Sequence, residues 1–186
     1  KDQSLSPLVV MTPKSGWWTC TSERGGGITI WLNAMRYLSK NQPNRNVIFT
    51  ANTGHELSHL GLDHFLKKNP SLAKDAFAWV HLGANFAAKA GQVLWQASTK
   101  EYLEQGLEQL KALNLVEILS WPISSRPVGE ARNIYDRGGQ FISLLGSNPL
   151  FHHPDDIWPD SIDMEKLIKL DSFMTNMIKD MANADN

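Results

Sequence analysis

The sequence predicts a three-layer α/β domain, with a central mostly parallel sheet and helices on both faces. Two observations carry that expectation. Short, β-branched apolar runs alternate along the chain with longer stretches of helical period. No internal repeat, low-complexity tract or linker divides residues 1–186, which therefore read as a single domain. At 186 residues and 42% hydrophobic, the chain is large enough to bury one core. Its 18 Lys and Arg against 19 Asp and Glu give no electrostatic case for nucleic acid or an anionic membrane as the main partner. Cys20 is the only cysteine, which excludes an internal disulfide framework and a thiolate-built zinc site. No apolar run is long enough to cross a bilayer, and KDQSLS lacks a signal-peptide profile, so a soluble protein of unassigned compartment is expected.

The elements follow in order. Leu8-Val9-Val10-Met11, closed by Pro13, reads as a buried strand, and SGWWTCTSERGGG as a loop. From Ile28 the period becomes helical, with Ile28, Trp31, Leu32, Met35 and Leu38 on one face and NQPN as the stop. Val47–Ala51 is a second strand, followed by helical residues from Gly61 to Lys68. Phe77–Leu82 is a third strand, and no element is assigned between Gly83 and Thr99. Lys100–Leu113 places Leu103, Leu107 and Leu110 at helical spacing before a strand over Leu115–Leu119. SSRPVGEARNIYDRGG reads as an irregular loop, Gln140–Leu145 as a fifth strand, and FHHPDDIWPDS as a Pro-punctuated loop. A last amphipathic helix starts near Ile162.

Ligands of parallel sheets gather at the carboxyl ends of strands. Those ends carry Glu23, then His55 and Glu56, then His81, then His152, His153, Asp155 and Asp156. Carboxylates and imidazoles are donors that zinc accepts. His55-Glu56-Leu57-Ser58-His59 also spells the helical zinc-protease motif H-E-x-x-H, although a strand and Gly54 lie directly upstream and the longer form of the motif fails at Leu62 and Phe65. Glu23–Gly27 matches neither the phosphate-loop nor the dinucleotide fingerprint, and close packing of a helix on the sheet is the simpler reason for its glycines. Trp17 and Trp18 suit the wall of a substrate pocket, with at least one expected in the core. Of Arg126, Arg132 and Arg137, Arg132 is the candidate for a substrate carboxylate, and at least two of the three are expected to be solvated. His59 and His64 read as helix-surface or packing residues, and Cys20 as a small hydrophobe rather than a nucleophile.

The order of these segments resembles the co-catalytic zinc aminopeptidases and their glutamate carboxypeptidase and glutaminyl cyclase relatives. Ser22-Glu23-Arg24-Gly25-Gly26-Gly27 stands where that family has Asp-Asn-x-x-Gly. TANTGHELSHLGLDHF stands for its Gly-Glu-Glu strand end, and His81-Leu82-Gly83 for Asp-Met-x-Gly. The most specific match is Phe151-His152-His153-Pro154-Asp155-Asp156 before the last helix, against Tyr-His-Thr-Pro-x-Asp. The resemblance implies a zinc-peptidase-like fold, Glu23 as bridging carboxylate, and Glu56, His152 and His81 as further ligands. It also implies His55 in place of the general-base Glu, and Asp156 as the carboxylate that fixes the loop beside His152. A neutral imidazole can still accept a proton from the attacking water. The family's upstream His-x-Asp has no counterpart, because Thr12-Pro13-Lys14-Ser15 stands there.

One zinc ion is therefore expected rather than two, with a site holding none as the further alternative. The expected activity is metal-dependent hydrolysis of a peptide or small amide substrate. A non-catalytic binding or scaffold domain and a helical H-E-x-x-H protease stay open beside it. Against the resemblance the chain also begins late, so one sheet edge is expected to be bare or covered by a missing segment or a partner.

Overall fold

A computed structural model describes residues 4–115 and 117–185. Six strands form one sheet in the order β2-β1-β3-β6-β4-β5. They are β1 Leu8–Pro13, β2 Val47–Asn52, β3 Ala78–Leu82, β4 Val93–Ala97, β5 Ile118–Ser120 and β6 Phe141–Gly146. The pairs β1–β2, β1–β3, β3–β6 and β4–β5 are parallel, and β4 runs antiparallel to β6. The helices are α1 Gly26–Lys40, α2 Leu60–Lys68, α3 Leu72–Asp75, α4 Lys100–Ala112, α5 Ala131–Tyr135 and α6 Met164–Asn183.

Strand alternation divides the core between the two faces. Val10, Val80, Leu82, Ile142 and Leu144 pack with Ile30 and Ala34 of α1, Leu110 of α4, and Leu170 and Met174 of α6. Val9, Met11, Trp79 and Phe141 pack on the other side with Leu62 and Leu66 of α2, Ala73 of α3 and Ile134 of α5. The expected three layers are thus present. Helix α1 starts two residues earlier than its apolar period suggested, and its buried stripe is Gly26, Gly27, Ile30, Ala34 and Leu38. Gly27 lies so close to the strand ends that a Cβ there would come within 3.0 Å of Thr12 Oγ1, Gly83 O and Leu82 O. That approach brings the start of α1 down onto the carboxyl ends of β1 and β3.

Three elements went unassigned in the sequence, among them the four-residue helix α3. Strand β4 carries the fully buried Trp95. Helix α5 lies inside the segment expected to be an irregular loop. The expected strand at Leu115–Leu119 forms as β5, three residues further on at its start, and Val116 lies outside the described residues. Among the described residues no further strand pairs with the outer edge of β2 or of β5. No described helix is long and apolar enough to cross a membrane.

Candidate metal centre

Because β1, β2, β3 and β6 are mutually parallel, their carboxyl ends open on one side of the sheet. After β1 the chain makes a π-helical turn, Thr21–Gly25, which leads into α1 and carries Glu23. This turn is pinned by Asp156, from the loop after β6. Asp156 Oδ1 accepts from Ser22 N at 2.7 Å and Ser22 Oγ at 2.6 Å, and its Oδ2 accepts from Glu23 N at 3.0 Å. Burial alone would raise this carboxyl, but the hydrogen bonds from Ser22, Ser161 and Glu23 outweigh it and hold Asp156 below the usual aspartate range. After β2, Gly54 adopts a left-handed conformation and a single 3₁₀ turn, His55–Leu57, presents Glu56. The loop after β6 presents His152, whose ring stacks on Phe151 and lies 5.3 Å from Trp17.

Three of the expected ligands meet there. His152 Nε2 lies 3.7 Å from Glu23 Oε1 and 3.5 Å from Glu56 Oε1. Two donors on one tetrahedral zinc, each bound at about 2.0–2.2 Å, stand roughly 3.3–3.5 Å apart, so the spacing suits a shared ion. Both oxygens of the buried Glu23 carboxylate lack a hydrogen-bond partner among the described residues. Burial pushes the Glu23 carboxyl up, with Glu56 adding to the shift and Arg24 and His152 opposing it. A buried carboxylate without a donor is what a cation relieves, and the donor set of two carboxylates and one imidazole fits zinc.

The guanidinium of Arg24 already lies beside the same oxygens. Its terminal nitrogen Nη2 is 2.7 Å from Glu23 Oε1, without hydrogen-bond geometry, and donates to Glu56 Oε1 at 3.1 Å, while Nε donates to Ser15 O. Sequence reasoning gave Arg24 no role. Its position directly after the expected ligand Glu23 was the available signal.

His81 requires a correction: it does not join Glu23, Glu56 and His152. It lies within β3, opposite Met11 of β1 and Ser143 of β6. Strand alternation turns it into the layer of α2 and α5, fully buried. There Nδ1 contacts Ser143 Oγ at 2.8 Å and Nε2 contacts Glu130 Oε2 at 3.1 Å. His55 faces the same carboxylate, Nδ1 to Glu130 Oε1 at 2.6 Å. Burial opposes the charge on Glu130, yet hydrogen bonds from His55 and His81 hold this carboxyl well below its ordinary value. An ionised carboxylate only accepts, so His55 Nδ1 and His81 Nε2 carry the hydrogens. The Nε2 lone pair of His55 is then left for other work. Glu130 was hidden in the supposed loop, where Ala131 and Ile134, three residues apart and both buried, were the trace of α5.

The H-E-x-x-H reading needs a helix, and the segment is not one. Ser58 and His59 have φ of 57° and 64°, and Glu56 turns toward Glu23. The rings of His55 and His59 nevertheless lie 5.0 Å apart. His59 is buried rather than on a helix surface, with Nδ1 2.7 Å from Asn133 Oδ1. Neither tryptophan belongs to the core: Trp17 is 47% exposed and Trp18 94%. Trp18, Ile157 and Trp158 line a groove that reaches Arg24. Arg132 is half-buried with no ion pair among the described residues, whereas Arg126 pairs with Asp136 and Arg137 with Asp63. Burial, with Glu23 adding to it, pushes the Cys20 thiol up, against a thiolate nucleophile.

The comparisons with known proteins agree with this fold. No curated protein matches the chain in sequence. Among solved structures, the zinc aminopeptidase BSAP from Bacillus subtilis superposes with a TM-score of 0.77 at 14% identity, covering 98% of this chain and 48% of that one. The aminopeptidase LapA from Legionella pneumophila gives 0.78 at 12%, covering 97% and 53%. A peptidase M28 precursor from Shewanella amazonensis gives 0.72 at 15%, covering 97% and 42%. The chain thus spans about half the length of the structures it matches, and at these identities the likeness shows the fold. Residues 22–121, from the turn that carries Glu23 to the end of β5, match the model of peptidase family M28, and the chain belongs to that family.

Proposed function

We propose that the chain carries a single-metal, aminopeptidase-like site for hydrolysis of peptide or related amide bonds. The observation that supports this most is the convergence of Glu23, Glu56 and His152 from three separate strand-end loops. Bound zinc would supply Lewis-acid polarisation of the scissile carbonyl and of water. The rest belongs to the chain. Glu23 and Glu56 bring the negative charge, and Asp156 fixes the turn that aims Glu23. His55, held by Glu130 at Nδ1, accepts the proton of the attacking water at Nε2 and returns it to the leaving amine. Trp17 walls the side of the site next to His152, Trp18 the groove beyond Arg24, and Arg132 is the candidate for a free substrate carboxylate. One ion rather than a pair is favoured because the Arg24 guanidinium supplies a fixed positive charge to Glu23 and Glu56, and because Thr12-Pro13-Lys14 replaces the upstream His-x-Asp.

That same guanidinium favours a second reading, a non-catalytic binding domain in which Arg24 satisfies the two carboxylates permanently. The test is one equivalent of zinc added to the protein, followed by a panel of peptides and amino-acid amides. Turnover that appears with zinc and disappears in Glu56→Gln is the expected result. Zinc retained through Glu56 and His152 without turnover on any substrate supports the binding domain. Zinc binding unaffected by both Glu56→Gln and His152→Ala overturns the metal site.

A further inference from the structure

We propose that His55, His59 and Glu130 form a second divalent-cation site, an inhibitory one, whose occupant takes His55 out of proton transfer. One donor atom from each residue lies within 4.8 Å of the other two. Two imidazoles and a carboxylate are a borderline donor set that zinc takes readily, and three protein donors leave one position for water.

Two of the three donors are held from behind, as metal ligands are. The amide oxygen of Asn133 accepts from His59 Nδ1, which leaves the Nε2 lone pair of His59 available. The orientation of that amide is set in turn, because its nitrogen donates to Asp63 Oδ1 at 2.9 Å, and Arg137 donates to the same oxygen at 3.2 Å. Glu130 is held at Oε2 by His81, and His81 by Ser143, so Oε1 is the atom left to face His55. Among the described residues no Lys or Arg pairs with the buried Glu130 carboxylate. Its side-chain partners are the imidazoles of His55 and His81.

The backbone is bent to make this set. Gly54, Ser58 and His59 all have positive φ, of 69°, 57° and 64°. Two successive non-glycine residues in the left-handed region cost free energy that surrounding structure must offset, and such strain gathers at functional sites. Here it folds the short segment back so that His59 returns to His55. A fourth side chain, His81, stands behind the carboxylate rather than beside the proposed ion.

Binding changes no oxidation state. The ion takes the place of the hydrogen between His55 Nδ1 and Glu130 Oε1, and these atoms part from 2.6 Å to the roughly 3.3 Å of two donors on one zinc. The imidazole keeps one hydrogen, which passes from Nδ1 to Nε2. With Nε2 protonated, His55 has no lone pair for the attacking water. The inhibitory role, unlike the binding site itself, rests on the proposed hydrolysis with His55 as base.

Calorimetric zinc titration of the full chain, with metal content measured after dialysis, tests the site without reference to activity. The expected result is two equivalents in the natural sequence. Glu56→Gln loses one and keeps the other, and His59→Gln shows the reverse. Asn133→Ala, which removes only the outer partner of His59, weakens the second equivalent by about 10–100-fold. It also guards against a His59 variant that fails to fold. A single equivalent lost with Glu56→Gln and indifferent to Asn133→Ala overturns the site, whether or not the protein hydrolyses peptides. If hydrolysis is found, it rises with the first equivalent and falls with the second. A fall at the same zinc concentration in Asn133→Ala overturns the inhibitory role alone.

Discussion

Two adjacent residues of one turn, His55 and Glu56, enter opposite kinds of environment. Glu56 reaches the open side, where Glu23 has no hydrogen-bond partner and His152 stands half-exposed. His55 reaches a closed polar network in which Glu130, His81, Ser143, His59 and Asn133 all have partners. The open set, in which the Glu23 carboxylate makes no hydrogen bond among the described residues and Arg24 supplies a fixed positive charge, fits a cation that completes it. The closed set has its hydrogen bonds made in the absence of one and fixes tautomers and ring directions, so a second cation there has to take the place of the His55–Glu130 hydrogen bond. The geometry of the proposed catalytic metal is thus divided from base-orienting geometry at a single peptide bond, and the strained segment Gly54–His59 makes that division.

Substitutions that break either side should have effects of different size and kind. Glu23→Gln removes the buried ligand charge and should take zinc-dependent hydrolysis to background and zinc affinity down with it, measured by titration and progress curves. On the closed side, His55→Ala should lower kcat by about 10²–10⁴-fold, with the affinity of the Glu23–Glu56–His152 site for zinc nearly unchanged and the second zinc equivalent lost. Unchanged hydrolysis in that variant removes His55 as base.

Asp156→Asn leaves the donors of Ser22 and Glu23 poorly met and should cost about 2 kcal/mol in a denaturant titration near neutral pH. The sign of its pH dependence follows from the lowered carboxyl. The folded protein holds its proton less tightly than the unfolded chain, so the contribution is present above the unfolded value, about 3.9, and is lost as pH falls through the folded one. The difference between wild type and Asp156→Asn should therefore shrink below about pH 4. Gly27→Ala forces a methyl group against Thr12 and the carbonyls of Leu82 and Gly83, for about 1–3 kcal/mol of destabilisation by thermal or chemical unfolding. The smallest effect is expected for Trp18→Ala. It should change stability by less than about 0.5 kcal/mol and move KM rather than kcat.

The fold was largely readable because the strands that build the sheet centre are continuous apolar runs. β1, β2, β3 and β6 each stood out as such. β4 escaped notice because VLWQA is short and follows an irregular stretch, and its place depends on antiparallel pairing with a strand some fifty residues later. In the candidate site, the strand-end rule put Glu23, Glu56, His152 and Asp156 on the right side of the sheet, since a strand end fixes where the next loop emerges, and the family resemblance set them apart from His153 and Asp155. His81 was misplaced by the same rule. It lies within its strand, where pleat alternation and not the loop decides its direction. Glu130 and Asn133 could not be found that way, because their roles come from contacts with residues 75 and 74 positions away. Arg24 shows a further limit: a change of charge beside a ligand is visible in sequence, but the carboxylates it meets are not.

The central claim is that Glu23, Glu56 and His152 hold the catalytic metal. Anomalous diffraction at the zinc edge from a zinc-loaded crystal tests it most directly. The account predicts a peak within about 2.0–2.2 Å of Glu23, Glu56 and His152 Nε2, with the Arg24 guanidinium displaced from at least one carboxylate oxygen. Zinc-loaded protein with no peak between those three side chains, and Arg24 still spanning Glu23 and Glu56, would contradict it.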